Sequence, residues 1–268
     1  MNRMPNNFFA KSIDEYIVII RNLRQTNESL WFRGHSNSDY KLIPSLYRTP
    51  YSATAVSNES SFMGTFKSKA IRYVQRPMSD DTAYFQWLFI MQHYGTPTRL
   101  LDWSQNALIA LAFATQYRKG VPEDKSADIW CLNPRKLNKT VRYPEYDLNP
   151  IPNICDLVSL QRIFAKSSDV GKITNPIAIV GLHETERIIA QNGVFTLFPD
   201  RPPFALEDLP DADDYLFRIT LDHTCIDEIA HDLYYIGISE STLFPELQSI
   251  SEEIKREYRE YIERTIAP

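Results

Sequence analysis

From Ser12 to Gln25 the apolar residues Ile13, Tyr16, Ile17, Ile20 and Leu23 recur at helical spacing and predict an amphipathic helix. Ser12, with Glu15 three residues on, has the form of a capping box and sets its start. Ser29 to Gly34 reads as a short strand ending at a glycine. Residues 36 to 56, turn-rich and carrying Pro44 and Pro50, read as a loop. Asn58 to Gln75 and Thr82 to Tyr94 predict two further helices. The second is dense in aromatics (Tyr84, Phe85, Trp87, Phe89) and is expected to be buried on most sides. Gly95 and Pro97 end it. A short extended stretch through Leu100 and Leu101 then leads to a helix from about Asn106 to Tyr117, with Asp102 or Ser104 as its cap.

Beyond it, Ala127 to Leu132 reads as a strand and residues 134 to 160 as loop, with Pro144, Pro150 and Pro152. Pro176 opens the apolar run Ile177 to Val180. Glu186 to Ala190 is a short helical turn, and Gly193 to Phe198 and Leu216 to Leu221 are strands. Thr224 to Asp232 reads as a helix, Tyr234 to Ser239 as a strand, and Ser249 to Arg264 as a charged helix. Helices dominate the first half and strands the second. This predicts an α+β fold, a helix-rich N-terminal half packed on a mixed, mostly antiparallel sheet. With no repeat, low-complexity tract or linker, residues 1–268 are expected to form a single domain.

Composition narrows the class. Apolar residues make up 43% of the 268, enough for a large core, and 29 basic against 34 acidic residues leave a net charge of −5. That mild acidity argues against broad binding to duplex DNA or an anionic membrane, although a local basic cleft is compatible with it. No stretch is long and apolar enough to span a bilayer, and Phe8-Phe9-Ala10 is too short for a secretory signal. Cys131, Cys155 and Cys225 are scattered and odd in number, which fits reduced thiols and a cytoplasmic location. No pair has metal-ligand spacing, so no metal is expected.

The chemistry concentrates in Gln92 to Ser104, which holds an imidazole, a guanidinium, a carboxylate, an indole and hydroxyls and runs into the apolar helix Ala107 to Ala114. Buried polar groups are costly unless paired, so a site is the natural reason to hold so many against a core helix. Three separated pieces, Trp31-Phe32-Arg33-Gly34, the His93 to Ser104 block and Ile238 to Leu247, together resemble the FRG-domain proteins, and Gln191 to Thr196 looks like a further element. The resemblance covers roughly residues 25 to 250, with the terminal helices flanking that core. More distantly, the order Arg33, Ser104 before the small-residue helix, then Glu240 resembles the ADP-ribosyltransferases, each residue falling at a predicted strand edge.

That second resemblance implies a split sheet and a toxin or phage-defence effector that consumes NAD as substrate and needs no metal. It implies a nucleic acid or nucleotide base as acceptor, an antitoxin or phage protein as partner, and no membrane. Glu240, Arg33 and Ser104 would be catalytic, and Arg33, Gly34, His93, Tyr94, Arg99, Trp103 and Ser104 would hold the NAD. Gln191 would select the acceptor. Each residue also has a structural reading. Arg33 would pair with an acid such as Asp102, Arg99 with Asp102, and Ser104 would cap its helix. Glu240 would be a solvated first-turn carboxylate, and His93, Tyr94 and Trp103 would pack. Arg33, Arg48, Arg72, Arg76 and Arg99 make an arginine cluster, while Asp80, Asp81, Asp211, Asp213 and Asp214 read as solvated loop acids. A non-catalytic module sensing a nucleotide or phage component stands as the alternative.

Overall fold

Ser12 takes an extended backbone and its Oγ accepts from the Glu15 amide (3.2 Å), while the Glu15 carboxylate accepts from the Lys11 amide (2.8 Å). Two amides at the start of α1 (Ile13–Thr26) are thereby satisfied. The structure, a computed structural model, describes residues 6–52, 55–74, 83–141, 151–153, 175–181, 185–199 and 204–266. Cys155, Arg76, Asp80, Asp81, the helix ends at Gln75 and Thr82, and most of the 134–160 stretch with Pro144 and Pro150 lie outside the described residues.

The strands are β1 (Asn7–Ala10), β2 (Trp31–His35), β3 (Leu100–Ser104), β4 (Ala127–Leu132), β5 (Ile177–Ile179), β6 (Gly193–Leu197) and β7 (Leu216–Leu221). They form one mixed sheet in the order β1-β7-β4-β2-β3-β6-β5, with β1 parallel to β7 and the other pairs antiparallel. The helices after α1 are α2 (Ala55–Ala70), α3 (Ala83–His93), α4 (Ala107–Thr115), α5 (Pro134–Thr140), α6 (Glu186–Ala190), α7 (Ala212–Tyr215), α8 (Ile226–Tyr235), α9 (Glu240–Leu243) and α10 (Leu247–Ile266). The fold is α+β with a mixed, mostly antiparallel sheet. Helices and strands are not segregated by half, because the early strands β2 and β3 form the sheet centre and α5 to α10 follow them.

Period-two alternation sends side chains to both faces of the sheet. On one face Phe32, Ile129, Cys131, Ile219 and Leu221 pack under α1, α4 and α8. On the same face, beyond β3, Leu100, Ile179, Phe195 and Leu197 pack under α3. The opposite face buries Trp31, Leu101, Trp103, Leu132 and Val194. Each large side chain so buried contributes about 1.5–3 kcal/mol. Gly34 lets α4 lie directly on β2, since a Cβ there would overlap the Ala110 carbonyl and the Ala114 amide.

The joint between the two halves of this face is narrow. Five or six register pairs tie β2 to β4, β3 to β6 and β4 to β7, but β2 meets β3 only at Phe32 opposite Ser104. The strands part beyond that pair, and a gap opens between α3 and α4.

Three sequence expectations are corrected. Tyr234 to Ser239 is no strand. Helix α8 runs through Tyr235 and closes with Ile238 N–H donating to Leu233 O (2.8 Å) and Gly237 N–H to Tyr234 O (3.0 Å), Gly237 having φ 87°. The stretch after Asn133 contains α5, capped by Asn133 with proline at the first turn. Helix α4 is capped by Asn106, whose side chain accepts from Leu108 N–H, and not by Asp102 or Ser104.

The start of β3 is fastened to α2 by a buried ion pair. Arg99 donates from Nε to both carboxylate oxygens of Glu59 (2.8 Å each) and from Nη2 to Oε2, and the Tyr84 hydroxyl donates to the same carboxylate (3.2 Å). The expected Arg99–Asp102 pair is therefore absent. Glu59→Ala leaves this guanidinium buried without its partner. Chemical denaturation is expected to show a loss of about 3–5 kcal/mol, most of it recovered in the Glu59→Met/Arg99→Met double variant.

Candidate functional site

Where β2 and β3 part, the main chain and the side chains of the gap have to be satisfied by something other than the ladder. Arg33 supplies it. Its Nη1 donates to the Asp102 carbonyl (2.7 Å) and stands 3.9 Å from the Asp102 carboxylate. Its Nε donates to His35 Nε2 (3.1 Å). Burial draws the Arg33 guanidinium down to about 10, Asp102 opposing and Arg48 adding to the shift, so it is charged at neutral pH.

Above this bridge lies a cavity of about 230 Å³. Arg33 and Gly34 of β2 and Asp102 and Ser104 of β3 form its floor. Phe89, Phe113 and Phe195 supply aromatic wall, and Gln92, His93, Arg187 and Gln191 the polar rim. Gln92 Nε2 donates to the Asp102 carboxylate (2.8 Å), and Gln92 Oε1 accepts from the Thr98 hydroxyl. Asp102 is the carboxylate of the lining, 53% exposed at its side chain. Arg187 lies over the Phe244 ring at 4.5 Å. Burial and then Arg187 lower the His93 pKa, and Thr185 Oγ1 stands 3.4 Å from His93 Nδ1.

Ser104 Oγ donates to the Gln191 carbonyl (2.7 Å) and accepts from the Asn106 amide (3.0 Å). The Gln191 side chain donates to the Leu243 carbonyl (3.0 Å), tying the cavity edge to α9.

Of the residues singled out from sequence, the structure brings together Arg33, Gly34, His93, Trp103, Ser104 and Gln191 at one cavity. It does not bring Glu240 there. Glu240 is the first residue of α9, half-buried, close enough to Tyr117 to add to the rise that burial gives the Tyr117 pKa, and it neither ends a strand nor lines the cavity. Arg99 is consumed by Glu59. Trp103 lines the cavity, but its indole is buried among the core residues of the opposite face and donates to Thr196 Oγ1 (3.1 Å). Tyr94 is 71% exposed, with its ring edge-on to His93.

Of the arginine cluster, Arg33 and Arg48 face the cleft, and Arg72 is on the surface beside Tyr73. Sequence reasoning gave Gln92, Arg187 and Phe113 no role at the site, and took Asp102 as a partner for an arginine or as a helix cap. Gln92 heads the polar block and was within reach. Nothing local marks Arg187.

Residues 28–122 match the family model of the FRG domain, which supports the resemblance to FRG-domain proteins. That span holds Arg33, Gln92, Asp102 and Ser104 and ends before Arg187 and Gln191. No curated protein and no solved structure matches the chain. Among the described residues no helix is long and apolar enough to cross a membrane.

His35 is nearly fully buried and its Nε2 accepts from Arg33, so only the neutral ring fits. Burial, then Arg33 and Arg48, push its pKa from 6.5 to about 2. The unfolded chain therefore takes up this proton first as pH falls. Stability is full above pH 6.5 and declines below it, by about 2 kcal/mol on reaching about pH 5. Urea unfolding at stepped pH measures the slope, which His35→Gln should flatten.

Proposed function

We propose that the cleft binds the nicotinamide-ribose half of NAD and that the protein is an NAD-consuming ADP-ribosyltransferase. The acceptor would be a nucleic acid or nucleotide base, and the setting that of a toxin or phage-defence effector. One observation carries the reading. Arg33 of β2 and Ser104 of β3 line one aromatic-walled hollow where the strands part, with one lining carboxylate. At about 230 Å³ the hollow is smaller than the roughly 300–1,000 Å³ usual for whole small-molecule sites, and suits one ring and one sugar.

The chemistry would break the bond between ribose C1′ and the nicotinamide nitrogen. Nicotinamide leaves with the bonding pair, and the ribose passes through an oxocarbenium-like state, as in glycoside hydrolysis. The acceptor then bonds to C1′ and gives up its proton. A carboxylate near C1′ stabilises the developing positive charge. Asp102 lines the cavity and is the better placed of the two candidates, with Glu240 beyond the rim. Arg33 would hold ribose or phosphate oxygens with its planar fork. Phe89 and Phe195, 5.1 Å apart between ring centres, supply a surface for the nicotinamide ring.

One observation favours the alternative, a nucleotide-sensing module without turnover. Asp102 is already held by Arg33 and Gln92, which leaves its charge partly spent. Incubating the purified protein with NAD and following free nicotinamide by chromatography separates the two. Turnover is expected, falling about 100-fold or more in Arg33→Ala and in Asp102→Asn, with cooperative melting showing that both variants still fold. Binding of NAD without nicotinamide release, in the presence of nucleic acid and nucleotide acceptors, would leave the sensor.

A further inference from the structure

A second hollow of about 600 Å³ adjoins the first and shares Arg33, Gly34 and Phe113 with it. Its charged lining is Arg33, Arg48, Lys41 and Asp39. Two of these are engaged at the surface, since Lys41 pairs with Glu207 and Asp208 and Asp39 pairs with Lys125. Arg48 is different. Its Nε donates to the Ile43 carbonyl (2.9 Å), which fixes the side chain, but no carboxylate among the described residues lies within ion-pair distance of its guanidinium. The charges that bear on it are those of Asp102 and Arg33. Two guanidiniums thus line one space, close enough to act on each other, with Asp102 at the border it shares with the first cavity. Such an arrangement repels cations and favours an anion, since Asp39 is engaged by Lys125 and Asp102 by Arg33 and Gln92. The half-exposed Tyr40 ring and the Tyr117 ring of the Phe113–Phe244 aromatic cluster flank the same space.

We infer that this second hollow is a phosphate subsite, in which Arg48 and Arg33 together hold the diphosphate of a nucleotide. This inference rests on the nucleotide reading of the first cavity. It makes the substrate a dinucleotide lying across both hollows with Arg33 at the crossing. A nucleoside or mononucleotide confined to the first would not suffice. Arg48 is then the residue that selects for the diphosphate, because a forked guanidinium matches paired phosphate oxygens.

Calorimetric titration of the full chain with ADP, AMP and adenosine tests this. ADP is expected to bind. Arg48→Gln should weaken ADP about tenfold or more, leave adenosine unchanged and flatten the salt dependence of ADP binding. Arg48→Lys should lose less than Arg48→Gln, and thermal melting confirms that both variants fold. Equal ADP affinity in wild type and Arg48→Gln, or no ADP binding, would overturn the proposal. So would a single-stranded oligonucleotide that binds through Arg48 where ADP does not.

The nicotinamide assay separates this inference from the transfer reading. Arg48-dependent ADP binding without nicotinamide release would uphold the subsite and reject transfer. Nicotinamide release with an unchanged KM for NAD in Arg48→Gln would do the reverse.

Discussion

A single pair of residues, Phe32 opposite Ser104, joins the two blocks of the sheet, and the cleft is the direct result. Once the ladder stops there, each block is held by its own helices: α4 presses on β2 through Gly34, and α3 packs with β3 and its outer neighbours. Polar groups between the blocks then lack strand partners. The cost of leaving them unpaired is met by Arg33, which reaches across to the Asp102 carbonyl. The guanidinium therefore stabilises the parting of the strands and at the same time forms the floor of the hollow that the parting creates.

The protein is acidic overall, yet the cleft gathers guanidiniums. Arg33, Arg48 and Arg187 all border it against the lining carboxylate Asp102 and the outward-paired Asp39. Low exposure strengthens these fields relative to those at the surface. Net charge thus gives a poor guide to the cleft, because acids collect elsewhere: the helix α10 carries Glu252, Glu253 and Glu257.

Legibility of the sequence followed the locality of the cause. The capping box at Ser12, the strands at β2, β4, β6 and β7 and the helices α3 and α4 rest on spacing and caps within a few residues, and they stood out. Helix α5 announced itself through Asn133-Pro134 but was hidden among the later prolines. Residues Tyr234 to Ile238 misled because two tyrosines and two isoleucines have strand propensity, whereas the left-handed glycine at 237 and the burial of Leu233 decide for a helix end. Site residues followed the same rule. Arg33 and Ser104 line one cavity because β2 and β3 pair at Phe32 opposite Ser104. The partner of Arg99 sits 40 positions upstream on α2, and no local pattern encodes that distance. Glu240 fitted an order along the chain, and order carries no information about which elements share a cavity.

The hydroxyl of Ser104 carries one proton, and the Gln191 carbonyl takes it. Of its two lone pairs, one already receives the Asn106 amide. What it offers the hollow is a single lone pair. A ligand atom settling against it must bring a hydrogen of its own, so a sugar alcohol or an amide NH₂ is welcome there while a carbonyl or phosphate oxygen would meet only repulsion. The serine would thus sort the ends of an entering molecule by polarity, with the donor end toward β3.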